Sequence, residues 1–341
     1  MIRFDNYHTM IKQDFLISLL SLLLIITTAS GQAVKIIYDT DMESDVDDVG
    51  ATAVLHALAN QGEAEILATM VSSINPWSAP CLDAINTFYG QPDLPIGVPK
   101  GEAVNRKSGY AQSVAETYPH SITSSESLPE AAQLYRKILA SQPDSSVVIV
   151  TVGYLTNLSR LLSTPPDEYS SLNGRDLVKR KVKHYVCMGG RFPKNTNTQV
   201  NGNWKPDPAA TIDVVENWPT HILFSGGGDQ LAILYQTGGT LPEIFESHIV
   251  RQAYKWFFDR VGWAEGPTHH SADLLAVLIA VRGSDTYFNQ ICEGYNKVFE
   301  DGTHEWRSSP DEDQCYVLPR TAYIPEVTAE LNRLMSAPSA K

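Results

Sequence analysis

Short apolar runs that alternate with segments of helical spacing are the feature that most limits the fold of this chain. Runs typical of buried strands span 34–39, 65–73, 95–98, 145–153, 183–190 and 220–227. Apolar residues recur at helical spacing over 48–60, 80–90, 129–140, 154–162, 208–217, 242–260, 271–282 and 325–335. This alternation predicts an α/β fold, with an open, mostly parallel sheet that is covered by helices on both faces.

The C-terminal part of the chain departs from this pattern. Over 291–318, turn-forming Gly, Asp and Thr separate short β-like pieces, which predicts a small antiparallel appendage and so a mixed sheet. Cys292 and Cys315 flank what reads as a hairpin, and whether they pair is left open at this point. Cys187 lies in an apolar run and is predicted to be a buried thiol. No linker rich in Gly, Ser or charge interrupts 34–341, which favours one domain.

The N-terminal segment, residues 1–33, has the pattern of a secretory signal peptide. The uncharged run 15–26 follows Arg3 and Lys12 and precedes small residues that suit a cleavage site. The run is shorter than the roughly 20 residues that a membrane span needs, although an uncleaved anchor remains the alternative. We therefore predict a secreted or periplasmic protein whose only contact with a membrane is this segment.

Net charge limits the partners of the chain. With 26 basic and 39 acidic residues, the formal net charge is −13, so the surface should repel nucleic acid. The composition, 43% hydrophobic and 9% aromatic, excludes a disordered chain. We expect a small-molecule substrate, and the oligomeric state, including a homo-oligomer, is left open.

The acidic segment 39–48, DTDMESDVDD, lies between the first apolar run and the first helical segment. Ligands of open α/β sheets bind beyond the carboxyl ends of the strands, where this segment is expected. Crowded carboxylates repel each other unless a cation neutralises them, and their oxygens suit Ca²⁺ or Mg²⁺. The alternative is a solvated loop in which Asp47 and Asp48 cap the following helix. An EF-hand is excluded, because Ser44 and Gly50 occupy the positions of its Gly and Glu.

Four further segments follow the acidic loop in a recognisable order. They are VTVGYLTNLSRLL (150–162), YVCMGG (185–190), NGNWKPDPAAT (201–211) and SADLLAVLIAVRG (271–283). Together with Asp-Thr-Asp and Asp-Asp at 39–48, they make the chain similar to the calcium-dependent nucleoside hydrolases, the inosine–uridine-preferring superfamily. The resemblance implies a nucleoside hydrolase-like domain that cleaves the N-ribosidic bond of purine or pyrimidine nucleosides.

The resemblance also implies a metal centre that binds Ca²⁺. Its ligands would be the carboxylates of Asp41, Asp48 and Asp273 and the backbone carbonyl of Thr156. Asp41 would in addition be the general base that deprotonates a metal-bound water. Thr156 and Asp273 each have a simpler alternative as caps of the helices that they open.

Substrate contacts are implied for three residues, Asp47, Asn75 and Asn203, which would bind the sugar. Asn75 precedes a proline and Asn203 lies in an NGN cluster, so each could instead be a turn residue. Trp77, Trp204 and Trp263 are expected near the site, where a base could stack on one of them, or in the core.

The chain departs from the family pattern at two places. The acidic loop is two residues longer than the usual form, and Asp45 has no counterpart in the shorter loop. Ala272 stands where the family often has a histidine that protonates the leaving base, so we predict that the nearby His270, or its neighbour His269, supplies the acid.

Two other functions remain open from the sequence alone. One is a non-catalytic, metal-dependent binder of nucleosides or sugars, which would have no use for a water-activating Asp41. The other is a Mg²⁺-dependent phosphohydrolase, for which the sequence lacks clustered Lys and Arg.

Overall fold

The computed structural model describes residues 32–197, 202–228, 230–310 and 313–339, and residues 34–341 form one unit. The predicted signal peptide, residues 1–33, lies almost wholly outside the described ranges, as do Asn201 and Asp229. Within those ranges, no helix has the length and apolar character that crossing a bilayer requires.

A ten-stranded sheet forms the centre of the described unit. The strands of the described residues, of which β8 and β9 form a separate pair, are β1 (Val34–Thr40), β2 (Ala64–Val71), β3 (Ile96–Gly97), β4 (Val147–Thr151), β5 (Val182–Met188), β6 (Lys194–Asn195), β7 (Ile222–Ser225), β8 (Gln236–Thr237), β9 (His269–His270), β10 (Phe288–Val298), β11 (His304–Ser308) and β12 (Gln314–Pro319). Their order in the sheet is β3-β2-β1-β4-β5-β7-β12-β10-β11-β6, and β8 pairs with β9 separately. Pairing is parallel from β3 to β12 and antiparallel from β12 to β6.

This topology confirms the predicted α/β class with a mixed, mostly parallel sheet. The antiparallel C-terminal strands extend the edge of the central sheet, because β12 runs parallel to β7 and continues its hydrogen bonding. A disulfide between Cys292 and Cys315 joins β10 to β12, which settles the pairing that the sequence left open. Cys187 is buried as a free thiol, as predicted.

Helices cover both faces of the sheet. They are α1 (Asp47–Asn60), α2 (Ser78–Phe88), α3 (Ala111–Thr117), α4 (Ala131–Ser141), α5 (Thr156–Leu162), α6 (Gly174–Lys181), α7 (Pro208–Asn217), α8 (Ile249–Arg260), α9 (Ala272–Arg282) and α10 (Ile324–Met335). Side chains of a strand alternate between faces, so Ile36 and Tyr38 of β1 join one hydrophobic core while Ile37 joins the other.

One predicted helix is shorter than expected. The pattern over 242–260 predicts a continuous helix, but α8 begins at Ile249, after a short 3₁₀ turn at Leu241–Glu243. His248 defines the start, because its side chain accepts the backbone N–H of Val250 and so caps the first turn.

The strand order places a natural cleft between β1 and β4. From β1 the chain builds the sheet outward through β2 and β3, and then returns to place β4 on the other side of β1. The loops that follow β1 and β4 therefore diverge, which opens a crevice at the carboxyl ends of these strands. The acidic segment leaves β1 at this point.

Candidate active site

A cleft of about 410 Å³ lies at the carboxyl ends of the central strands. Loops after β1, β4, β5 and β7 and the start of α9 form its walls. Its charged or hydrogen-bonding side chains include Asp41, Asp45, Asp47, Asp48, Asp273, Asn203, His270, Arg106, Arg191 and Lys205. The cleft therefore combines the acidic loop with residues from distant parts of the chain.

The acidic segment is not a solvated loop, so that alternative is wrong. Asp41, Asp47 and Asp48 are each at most 5% exposed, and Glu43 is fully buried. Val46, the residue before α1, has no polar side chain to cap the helix. The aspartates that open α1 still benefit from its positive N-terminal end, but burial forces each carboxylate to find specific partners.

Two carboxylates of the segment, Asp39 and Glu43, accept hydrogen bonds from donors in distant parts of the chain, and we call them the anchored carboxylates. Asp39 accepts the Asn157 amide at 3.1 Å and the Tyr135 hydroxyl at 3.0 Å. Glu43 accepts the Arg106 backbone N–H at 2.7 Å, the Tyr154 hydroxyl at 2.7 Å and the Ser73 hydroxyl. The bonds of Glu43 tie the loop after β1 to the loops after β2, β3 and β4, and those of Asp39 tie the end of β1 to α4 and α5. The anchored carboxylates therefore hold the cleft walls together.

Three others, Asp41, Asp48 and Asp273, face the cleft, and we call them the cleft carboxylates. Asp41 accepts the backbone N–H of Glu43 at 3.1 Å. Asp48 accepts the Thr40 hydroxyl, the Met42 backbone N–H and, at 3.4 Å, the Tyr110 hydroxyl. Asp273 enters from the first turn of the buried helix α9, and its Oδ1 is buried without a hydrogen-bond partner among the described residues. Oxygens of these side chains remain available to a ligand.

The electrostatics of the cleft carboxylates reflect this crowding. Burial raises the pKa of Asp41, and the neighbouring charges of Asp48 and Glu43 raise it further. Burial and Asp47 raise the pKa of Asp48 to about 8. Burial and the charges of Asp47, Asp48 and Asp41 raise the pKa of Asp273 well above its usual range. A buried group of mutually repelling oxygens with an unpartnered atom fits a hard divalent cation, which would neutralise all of them.

A second group combines acids with imidazoles. In β9, His269 and His270 lie with ring centroids 4.0 Å apart, and Nε2 of His270 is 3.3 Å from Oδ2 of Asp45. Burial would raise the pKa of Asp45, but the two imidazoles hold it well below its usual range. Burial would likewise lower the pKa of His270, yet Asp45 and Asp47 raise it above its usual value. Asp45, which the longer loop introduces, thus favours a protonated His270 in the cleft.

The structure does not bring Thr156 into the lining of the cleft. Thr156 is the first residue of α5, and its hydroxyl donates to Oδ2 of Asp207 at 2.6 Å. A carbonyl in the first helical turn points along the helix axis, away from the sheet edge. Val152, just beyond β4, lines the cleft instead.

The two asparagines predicted to bind sugar differ in position. Asn75 does not line the cleft, because its amide donates to the Arg106 carbonyl at 2.6 Å and its oxygen accepts the Trp77 N–H at 2.9 Å. This is the turn alternative, and Asn75 fixes the approach to α2. Asn203 does line the cleft, and its amide donates to the Val152 carbonyl at 2.5 Å.

Three basic side chains in the cleft were missed by the sequence reasoning. Arg106, Arg191 and Lys205 come from separate loops, so they do not appear as a cluster in the sequence. Two of the three candidate tryptophans also line the cleft. Trp204 is 3% exposed and packs against Gly189 and Gly190, whereas Trp263 is 61% exposed.

Comparison with known proteins gives consistent results. The model of the family described as inosine-uridine preferring nucleoside hydrolase matches residues 36–317. A plant nucleoside hydrolase, PpNRh1, is 19% identical with a TM-score of 0.64, covering 89% of this chain and 99% of that one. An inosine-guanosine nucleoside hydrolase is 18% identical with a TM-score of 0.66, covering 90% and 99%. The type III effector XopQ, solved with adenosine diphosphate ribose, is 15% identical with a TM-score of 0.59, covering 90% and 93%. No curated protein matches the chain.

Proposed function

The chain belongs to the inosine-uridine preferring nucleoside hydrolase family, whose members hydrolyse N-glycosyl bonds, and on this premise we propose that it cleaves the N-ribosidic bond of nucleosides. The observation that carries the proposal is the convergence of Asp41, Asp48 and Asp273 in one cleft at the carboxyl ends of the strands. A cleft of about 410 Å³ is also within the usual range for a small-molecule site.

We assign Ca²⁺ to the cleft carboxylates. Asp41, Asp48 and Asp273 would hold the ion, and the backbone carbonyl of Val152 replaces Thr156 as the neutral ligand in the proposal. Oxygen donors of this kind suit a hard cation with six to eight ligands, of which the sugar hydroxyls would supply some. When bound, such an ion lowers the pKa of water and neutralises the carboxylates.

The proposed reaction has two proton transfers, one to Asp41 and one from His270. Asp41 accepts a proton from the attacking water. The water oxygen bonds to C1′ of the ribose as the C1′–N bond breaks, through a transition state with oxocarbenium character. His270 donates its proton to the leaving base, since Asp45 and Asp47 favour its charged form.

Other residues that line the cleft are candidates for binding the ribose hydroxyls and the base. We assign the contacts with the ribose hydroxyls to Asp47 and Asn203, which both line the cleft. Trp263 is the exposed aromatic surface at the cleft, and we assign stacking of the base to it.

A nucleoside panel tests the proposal directly. The purified protein is incubated with purine and pyrimidine nucleosides, and free ribose is measured with chelator and after Ca²⁺ is restored. We expect ribose release that chelation abolishes and Ca²⁺ recovers. Binding of nucleosides without ribose release would favour the non-catalytic binder instead.

A second candidate substrate, an N-riboside that carries phosphate, is favoured by Arg106, Arg191 and Lys205 in the cleft. The structural neighbour solved with adenosine diphosphate ribose is compatible with this candidate. The panel therefore includes nucleoside 5′-monophosphates. Release of base supports the phosphorylated substrate, whereas release of phosphate alone would favour the phosphohydrolase alternative.

We further propose that the mature protein is secreted or periplasmic. The pattern of residues 1–33 supports export, and the Cys292–Cys315 disulfide fits an oxidising compartment. N-terminal sequencing of protein from fractionated cells tests this, and a cytosolic protein that retains Met1 would contradict it.

A further inference from the structure

The four residues Asp45, Asp47, His269 and His270 form a group of mixed nitrogen and oxygen donors beside the cleft carboxylates. One potential ligand atom from each lies within 4.8 Å of all the others. Nε2 of His270 is 3.3 Å and Nε2 of His269 is 3.7 Å from the same oxygen, Oδ2 of Asp45. The longer acidic loop supplies Asp45, and the short strand β9 turns both rings toward it.

His269 gives an independent indication of a ligand. Its side chain is 7% exposed, and its Nε2 is buried without a hydrogen-bond partner among the described residues. The ring packs edge-on against Phe257 at 5.0 Å, and Trp263 lies at 6.0 Å, so its orientation is held by packing. Buried polar atoms are almost always paired, and an exception in a cluster of potential ligands points to a missing partner.

We propose that Asp45, Asp47, His269 and His270 bind a divalent transition metal of the Zn²⁺ class, separately from the oxygen-only group of cleft carboxylates. Imidazole nitrogen is a preferred ligand of such metals and a poor ligand of Ca²⁺. In a tetrahedral site with bonds of about 2.0–2.1 Å, ligand atoms lie roughly 3.3–3.4 Å apart. The separations of 3.3 and 3.7 Å are close to this geometry, and the other separations, at most 4.8 Å, would shorten when the metal binds.

This site would regulate the reaction, a consequence that depends on the proposed function. A metal ion bound to Nε2 of His270 occupies the lone pair that would otherwise carry the proton for the leaving base. Asp47 would at the same time be drawn from the sugar to the metal. Zn²⁺ is therefore expected to inhibit hydrolysis even when Ca²⁺ saturates the cleft carboxylates.

Binding is tested first, without catalysis. Zn²⁺ is titrated into the purified protein in excess Ca²⁺ against a chromophoric chelator, and Co²⁺ replaces it for absorption spectroscopy. We expect one Zn²⁺ per chain and the intense visible bands of four-coordinate Co²⁺. His269→Gln and Asp45→Asn should each weaken Zn²⁺ binding by at least about 100-fold, the upper end of what even indirect partners of a metal contribute.

Two controls keep the test decisive. His120→Gln changes a histidine whose ring contacts the Tyr118 carbonyl outside the cleft, so Zn²⁺ binding should be unchanged. Asp41→Asn should also retain Zn²⁺, because Asp41 is not one of the four ligands. Unaltered affinity in His269→Gln, or weak six-coordinate Co²⁺ bands in the unmodified protein, would overturn the proposal. The Co²⁺ spectrum needs no variant, so it decides the matter even if a substitution prevents folding.

Inhibition is measured second, as the Zn²⁺ dependence of ribose release. If Zn²⁺ binds as expected but no nucleoside is hydrolysed, the proposed function fails while the metal site stands. If hydrolysis occurs but Zn²⁺ neither binds nor inhibits, the metal site fails alone.

Discussion

The anchored carboxylates and the cleft carboxylates are equally buried but differ in the hydrogen-bond donors that surround them. Asp39 and Glu43 accept hydrogen bonds from hydroxyl, amide and backbone donors on neighbouring loops. Asp41 has one such bond to its own loop, and Asp273 has a buried oxygen with none among the described residues. Asp48 is intermediate, because it has three neutral donors but is also repelled by Asp47. Acidic residues a few positions apart therefore serve either to hold the walls of the cleft or to act within it.

The difference shows that burial by itself does not mark a catalytic acid. A buried carboxylate with neutral donors is a structural tie, and removing it leaves several donors unsatisfied. A buried carboxylate surrounded by other carboxylates is destabilising until a cation or a proton neutralises it. Substitution of an anchored carboxylate should therefore mainly lower stability, whereas substitution of a cleft carboxylate should mainly lower activity.

The largest effect is expected for Asp41→Asn. Loss of the general base should lower kcat by about 10³-fold and change KM little, because the amide cannot accept the proton from water. In the presence of chelator, thermal stability should not fall, since one of several repelling charges is removed. Steady-state kinetics and thermal denaturation measure both quantities. Asp83→Asn is the matched control, because Asp83 is a buried aspartate bound to Ser121 and Ile122 away from the cleft. A kcat for Asp41→Asn within tenfold of the unmodified enzyme would reject Asp41 as the base.

Glu43→Ala should show the opposite pattern. The Tyr154 hydroxyl, the Ser73 hydroxyl and the Arg106 N–H would each lose their acceptor, so the free energy of unfolding should fall by about 3 kcal/mol. Glu43→Gln should recover part of the loss, because an amide oxygen still accepts. Urea denaturation in the presence of Ca²⁺ measures this order. Equal stabilities of the two variants would show that the hydrogen bonds of Glu43 do not anchor the loop.

Removal of Ca²⁺ should act on stability through the cleft carboxylates and not through the anchored carboxylates. If a cation binds the folded state at 100 times its dissociation constant, it adds about 2.7 kcal/mol to the free energy of unfolding. Chelator should therefore lower the Tm of the unmodified protein, and Ca²⁺ should restore it. In Asp273→Ala this response should disappear, whereas Glu43→Gln should keep it. If chelator does not change the Tm of the unmodified protein, this result would argue against the assigned metal.

The smallest effect, taken per pH unit, concerns Asp39. Burial raises the pKa of Asp39 to about 7 from an ordinary value of 3.8, despite the hydrogen bonds from Asn157 and Tyr135. Between these values the folded state binds more protons than the unfolded state, so this contribution to stability is lost as pH rises through about 7. The slope is at most about 1.4 kcal/mol per pH unit.

Asp39→Asn tests this contribution, because asparagine does not titrate. The free energy of unfolding, measured in urea from about pH 4 to about pH 7, should fall less steeply in the variant than in the unmodified protein. Parallel curves would show that Asp39 keeps an ordinary pKa in the folded state.

Much of the architecture could be read from local patterns. Apolar runs such as 145–153 and helical spacing such as 271–282 predict elements close to β4 and α9, because hydrophobic periodicity depends on nearby residues. The acidic segment could be placed at the carboxyl end of β1, and Asp41, Asp48 and Asp273 could be assigned to one site by resemblance. The structure brings all three into the same cleft.

Other features depended on contacts between distant segments. The motifs around Thr156 and Asn75 predict roles in the site. In the structure, the Thr156 hydroxyl donates to Asp207 and the Asn75 amide donates to the Arg106 carbonyl, which no local pattern reveals. Arg106, Arg191 and Lys205 converge only when three loops meet over the sheet.

Short contiguous patterns were enough to predict the α/β architecture, the acidic loop after β1 and the family of the chain. Contacts between distant segments determine which acids are anchored, which face the cleft, and that Asp45 lies beside His269 and His270. The physical reason is that the role of a buried charge depends on the donors and charges around it. Those neighbours come from loops that are far apart in the chain and are brought together by the strand order.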